Sequence, residues 1–138
     1  MLFKTPIKVR GYHLDLYQHV NNARYLEFLE AARWDMLREV ALMEKLHGSH
    51  LALVIVNLNI DYRSAALFED ELEVQSQFME VKERKGVIKQ IIINTKTGAL
   101  VVEAKVTYVI IDMRTKKATR LPSDLMDFFT SLIPSDVG

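Results

Sequence analysis

Asp15, His19, Asn21 and Asn22 crowd into the stretch HLDLYQHVNNARYLEFLEAARW, His13 to Trp34, just where the residue pattern turns helical. The first turn of a helix has backbone N–H groups without intrahelical partners, and it carries a partial positive charge. Such groups can hold the oxyanion that forms when a carbonyl is attacked. A carboxylate beside them can act as a general base or as a nucleophile. The four residue types therefore suit acyl transfer. They equally suit a simpler arrangement, in which Asn21 or Asn22 caps the helix and Asp15 is a turn residue.

His19 follows Asp15 by four positions. A metal pair at that spacing needs a helix to carry both ligands, whereas this segment precedes one, and no third ligand is evident. No metal is expected. His19 reads as a hydrogen-bonding residue, with orientation of Asp15 or of a water as its second use. His13, His47 and His50 carry no motif and read as surface or structural residues.

On the helix, Glu30 and Arg33 can form a buried ion pair against the sheet, or Glu30 can reach the site as a second carboxylate. Arg63, Arg84, Lys85 and Lys89 can meet the phosphates of a nucleotide-bearing ligand, or can be solvated strand and turn charges. No phosphate loop, GxSxG elbow or HExxH motif occurs. The absence of cysteine removes thiolate nucleophiles, disulfides and zinc-thiolate sites.

The elements that must position these residues follow from periodicity. Lys4 to Tyr12 reads as a first strand, with Pro6 marking an edge or an irregular entry. A helix starts near Asn22, breaks near Val40 and stops at Gly48; its roughly 24 residues would span about 36 Å. Steps of about 100° gather Tyr25, Leu26, Leu29, Ala32, Met36, Leu37 and Val40 on one face. Phe28 and Trp34 fall on the charged side, as candidates for contact with a partner subunit. Val54, Val56, Leu58, Ile60 and Tyr62 alternate with polar residues as a strand does. Further strands cover Leu72 to Val81, Val87 to Thr95, and Val101 to Asp112, the last with Val102, Ala104, Val106, Tyr108 and Ile110 on one face. Short turns at Arg84-Lys85-Gly86 and Lys96-Thr97-Gly98 force antiparallel pairing. Pro122 to Leu132 reads as a closing helix. One long helix against four or more antiparallel strands implies a sheet that curls around it.

The bulk numbers fit this plan. A chain of 138 residues suits one domain, 1–138. With 49% apolar and 26% charged residues it is of globular composition. Lys plus Arg equals Asp plus Glu, so no positive excess awaits a nucleic acid. Met1 to Arg10 has no long apolar run, and Leu51 to Val56 is too short for a bilayer, so a cytoplasmic protein is expected.

The segment Asp15-x-x-x-His19-Val20-Asn21-Asn22-x-x-Tyr25 resembles the motif of hotdog-fold thioesterases of the 4-hydroxybenzoyl-CoA thioesterase type. VRGYHLDLYQHVNNARYLEFLEAARWD, followed by VNLNIDYRSAALFEDEL and VTYVIIDMRTKKA, is similar to the bacterial long-chain acyl-CoA thioesterase III family over nearly the whole chain. The resemblance implies an α+β hotdog fold, a curved antiparallel sheet around one long helix. It implies hydrolysis of long-chain acyl-CoA to fatty acid and coenzyme A, without a cofactor. It places the catalytic acid on Asp15, the oxyanion contact on the Asn22 backbone N–H and the family's histidine on His19. Tyr25 and Arg63 become substrate-binding candidates, and Glu30 with Arg33 follows the family pattern. Two protomers are expected to build each site, within a homodimer or homotetramer. Where many relatives have proline after Tyr62-Arg63-Ser64-Ala65, this chain has Ala66. The rival readings are a thioesterase acting on acyl carrier protein, which requires a basic docking patch, and a non-catalytic acyl-CoA binder.

Overall fold

The computed structural model describes residues 1–135. The chain runs β1 (Phe3–Lys8), α1 (Asn22–Glu39), α2 (Leu42–Gly48), β2 (Leu51–Tyr62), β3 (Glu71–Val81), β4 (Lys85–Asn94), β5 (Leu100–Asp112), β6 (Lys117–Ala118) and α3 (Ser123–Ser131). The strands form one antiparallel sheet in the order β1-β3-β4-β5-β2, with β6 paired to β5. Pairing α1 with one face of this sheet gives the α+β hotdog architecture. Pro6 sits on edge strand β1, where its missing N–H breaks no central ladder.

Alternation along β5 holds as expected: Val102, Ala104, Val106, Tyr108 and Ile110 are all buried on the inner face. Two apolar clusters fill the space under the helices. One gathers Tyr25, Phe28, Leu29 and Ala32 of α1 with Val74, Ile92 and Val102. The other joins Met36, Leu42 and Leu46 to Phe78, Tyr108 and Phe129. Phe129 brings α3 into the core, with its ring 5.5 Å from that of Phe78, so three helices and not one cover the sheet. The long helix is broken as the pattern implied, because Ala41 adopts a left-handed conformation (φ 53°) between α1 and α2.

Four expectations are corrected. First, β1 ends at Lys8, because Gly11–His13 make a 3-10 turn, with the His13 N–H donating to the Arg10 carbonyl (3.0 Å). Second, the β2 register slips at Val56, between Ile55 and Asn57. Before this bulge Leu53 and Ile55 face inward, and Val54 and Val56 are exposed; after it Leu58 and Ile60 face inward. Reading one uninterrupted alternation inverts the first half of the strand. Third, Phe28 is buried, with its ring 4.9 Å from His13 and 6.1 Å from Tyr25. The segment before α1 folds back over that side of the helix, which a helical projection cannot register. Trp34 does remain exposed. Fourth, Glu30 and Arg33 make no ion pair among the described residues. Instead Arg33 Nη1 donates to Gln90 Oε1 (3.1 Å). Gln90 is fully buried, and its Nε2 donates to the Leu29 carbonyl (3.0 Å) and to Ser76 Oγ (2.9 Å). This side-chain network fastens the middle of α1 to the sheet, and burial pushes the Arg33 pKa down, partly offset by Glu30.

Candidate active site

The segment Leu14–Val20 closes a tight loop, with Leu14 and Val20 bridged in antiparallel fashion. Asp15 N–H donates to the His19 carbonyl (2.7 Å), and Gln18 N–H to the Asp15 carbonyl (3.1 Å). Gln18 takes the left-handed conformation (φ 62°) that this turn requires. The Asp15 carboxylate completes the turn: Oδ1 accepts from the N–H of Tyr17 (2.8 Å) and of His19 (3.2 Å). Asp15 is therefore a turn residue, as the simpler arrangement held. Its Oδ2 has no hydrogen-bond donor among the described residues.

Two contacts then set the helix start against this loop. Val20 N–H donates to the Ala66 carbonyl (3.0 Å) and Asn21 N–H to the His13 carbonyl (2.8 Å). Asn21 is the N-cap, its Oδ1 accepting from Ala23 N–H (2.9 Å). Asn22 is the first helical residue, and its N–H has no acceptor among the described residues. No acidic residue occupies the first turn of α1. The partial positive charge of this helix end is thus left facing the loop that holds Asp15.

A cleft of about 330 Å³ opens here, lined by Asp15, His19, Asn22, Tyr25, Tyr62 and Arg63 among others. Asp15, His19, Asn22, Tyr25 and Arg63, the positions the resemblance marks, meet in it, whereas Asn21 and Glu30 do not line it. His19 lines the cleft with an exposed side chain. It orients Asp15 through its backbone N–H, not through its imidazole. Tyr25 is buried, and its hydroxyl accepts from the Ala66 N–H (3.0 Å), which pins the turn after β2. Burial raises the Tyr25 pKa, so the phenol stays protonated and keeps its own hydrogen to donate. Arg63 stands at the lip, where its Nε and Nη2 donate to Glu103 Oε2 (3.3 and 3.2 Å).

Tyr62 was missed as a site residue. Its hydroxyl donates to the Asn22 carbonyl (3.1 Å) and its ring lies 5.6 Å from that of Tyr25. It thereby ties the end of β2 to the start of α1. The only sequence signal is its place at the end of an alternating strand. Ser64 and Ala65 also line the cleft. Ser64 is held by a hydrogen bond from its Oγ to the Leu100 carbonyl (2.8 Å).

A second cavity of about 300 Å³ lies farther along the same helix, lined mainly by Trp34, Leu37, Met43, Leu53, Ile55 and Ile88. Glu30 lines this cavity and not the cleft at the start of α1, so the fold does not bring it beside Asp15. Among the described residues no cluster of His, Cys, Asp and Glu could hold a metal ion. No helix there is long and apolar enough to cross a membrane.

Comparison with known proteins places this geometry in context. Residues 9–129 match the family model described as the thioesterase-like superfamily. The chain is 44% identical over 130 residues to the long-chain acyl-CoA thioesterase FadM of Escherichia coli K12, covering 94% of this chain and 98% of that one. It is 30% identical over 129 residues to the acyl-CoA thioester hydrolase YbgC of Escherichia coli O6:H1, covering 93% and 96%. The crystal structure of YbaW, a probable thioesterase from Escherichia coli, superposes with a TM-score of 0.88 at 43% identity, over 96% of this chain and 99% of that one.

Proposed function

The chain belongs to the thioesterase-like superfamily, and from that premise we propose that it hydrolyses long-chain fatty acyl-CoA to the free fatty acid and coenzyme A. One observation carries the reading. Asp15 and Asn22 line one cleft at a helix start, and among the described residues Asp15 Oδ2, an electron-pair donor, and the Asn22 N–H, a hydrogen-bond donor, have no partner.

In this reaction Asp15 Oδ2 takes a proton from water as the water oxygen attacks the thioester carbon. The carbonyl oxygen becomes an oxyanion held by the Asn22 N–H and the positive end of α1. Collapse breaks the carbon–sulfur bond, and the thiolate receives the proton. The same oxygen can instead attack the carbon directly, expelling the thiolate and leaving a mixed anhydride that water hydrolyses. After a single turnover in ¹⁸O-water, label in the Asp15 carboxyl identifies direct attack followed by opening of the anhydride at the aspartyl carbon; general-base catalysis leaves Asp15 unlabelled. His19 acts by holding Asp15 through the backbone. The Tyr25 hydroxyl supplies a second donor, and Tyr62 anchors the start of α1 through the Asn22 carbonyl.

The acyl chain lies between α1 and β2. Tyr62 bonds Asn22 at one end, and farther along Leu37 of α1 and Leu53 of β2 line one cavity. Arg33 to Leu37 lie roughly 17 to 22 Å along the helix from Asn22. Only a long chain reaches the apolar cavity there, consistent with the name of the FadM relative. A second copy completes the site by covering β2, an edge strand that exposes Val54 and Val56. Light scattering on the purified protein checks this, with a mass of one chain as the adverse result.

The test of the function is free-thiol release from an acyl-CoA chain-length panel, with the matching acyl carrier protein thioesters in parallel. Turnover rising with chain length on the coenzyme A series supports the reading. Preference for the carrier protein, or tight acyl-CoA binding without turnover, refutes it.

A further inference from the structure

The outer face of the sheet, away from the helices, carries a feature the reaction above does not use. The registers place Gln77, Lys89, Lys105 and Asn59 in one row across β3, β4, β5 and β2. Lys89 and Lys105 are direct cross-strand neighbours, at a Cβ separation of roughly 5 Å. Like charges directly opposed on a sheet repel. Among the described residues neither lysine has a carboxylate within ion-pair distance; the two carboxylates that line the same trough, Asp61 and Glu103, are both paired with Arg63. The sequence groups Arg63, Arg84, Lys85 and Lys89 as possible phosphate contacts. The fold separates them: Lys85 pairs with Val109, at the far end of β4 from the catalytic cleft, and Lys105 takes their place beside Lys89.

The lysines sit in a polar trough of about 540 Å³, which Arg63 also lines. Arg63 lines the catalytic cleft as well, so the two depressions adjoin at one guanidinium. The row lies four strand residues from that lip, Arg63 to Asn59, or about 13 Å. A ligand reacting in the cleft and ending in phosphates some way off would thread past Arg63 and find uncompensated positive charge.

We propose that Lys89 and Lys105 form the phosphate platform for the nucleotide end of coenzyme A, with Arg63 steering the connecting arm over the lip. The proposal rests on the acyl-CoA reading and names the part of the substrate that the cleft itself does not hold. Uncompensated ammonium groups fit the 3′-phosphate and diphosphate as point-charge partners, and Asn59 and Gln77 flank them with amide donors.

The test measures binding directly, so that it does not depend on turnover. Adenosine 3′,5′-bisphosphate is titrated calorimetrically into the full chain and into Lys89→Met/Lys105→Met, at low and moderate salt. Binding weakened about tenfold in the double variant, with a flattened salt dependence, is the expected result. Equal binding by both proteins overturns the proposal. In parallel, kcat/KM is compared for acyl-CoA and acyl-3′-dephospho-CoA. Wild type is expected to favour the phosphorylated form, and the double variant to lose that preference with kcat unchanged. If wild type hydrolyses neither thioester, the acyl-CoA reading fails, and the calorimetry still reports on the platform by itself. Light scattering supplies the last arm: a change of assembly mass in the double variant with nucleotide binding intact makes this face a contact between copies and overturns the proposal.

Discussion

Replacing Asp15 by asparagine separates the two jobs this side chain does. Oδ1 holds the turn by accepting from Tyr17 and His19 N–H, and Oδ2 has no donor among the described residues. Asparagine keeps an oxygen at the first position and puts an NH₂ at the second. The turn therefore survives, with two hydrogen bonds to a neutral acceptor in place of a charged one, a loss of about 1 kcal/mol or less. The NH₂ can neither take a proton from water nor attack a carbonyl. Loss of a general base lowers the rate by about 10²- to 10⁴-fold, equivalent to roughly 3 to 5 kcal/mol of barrier. The kinetic effect should thus far exceed the stability effect, with KM little changed. The assay is steady-state thiol release from a long-chain acyl-CoA, set beside thermal melting of the same preparations. Asp15→Ala, which removes both oxygens, is the control: it loses the rate and also loosens the loop that presents Asn22. If Asp15→Asn turns over within about threefold of wild type, Asp15 is only a turn residue and the catalytic assignment fails.

Other perturbations test the supports of the site. Gln90→Leu removes the partner of the half-buried Arg33 guanidinium and of the buried Ser76 hydroxyl and should cost about 1–3 kcal/mol in denaturant unfolding; no loss would mean the network is slack. Gly86→Ala would drive a methyl into the Tyr108 hydroxyl and put it 2.6 Å from the Glu80 carbonyl oxygen. It should destabilise by about 1–3 kcal/mol, only partly relieved by adding Tyr108→Phe, because the backbone clash stays; full rescue would contradict this packing. Burial, followed by the Arg24 charge, holds His13 below its ordinary pKa of 6.5, and its Nδ1 accepts from the Arg10 N–H (2.9 Å). The unfolded chain then binds more protons between the lowered value and 6.5. Stability is full above 6.5, falls as pH drops through that window, and levels off below it. His13→Gln should flatten that segment of a stability–pH profile, and an NMR titration showing an unshifted His13 would defeat the explanation.

The sequence by itself determined the parts of this protein that depend on local pattern. Period-two alternation marked β5 down to its inner-facing residues, the glycine-bearing turn at Lys96-Thr97-Gly98 marked the antiparallel β4–β5 pair (Gly86, expected in the other turn, lies inside β4), and the break near Val40 appeared as the left-handed Ala41. The motif from Asp15 to Tyr25 marked the candidate site because the loop and the helix start are adjacent in the chain, so their geometry is largely local. The tertiary structure decided what depends on partners distant in sequence. It buried Phe28 by folding the preceding loop over it, shifted the phase of β2 at Val56, and gave Arg33 to Gln90 instead of Glu30. It brought Tyr62 against Asn22, and it set Lys105 beside Lys89 while moving Lys85 away. Periodicity records which face a residue takes, but register and long-range pairing decide which residues share that face, and these are fixed only when the strands come together.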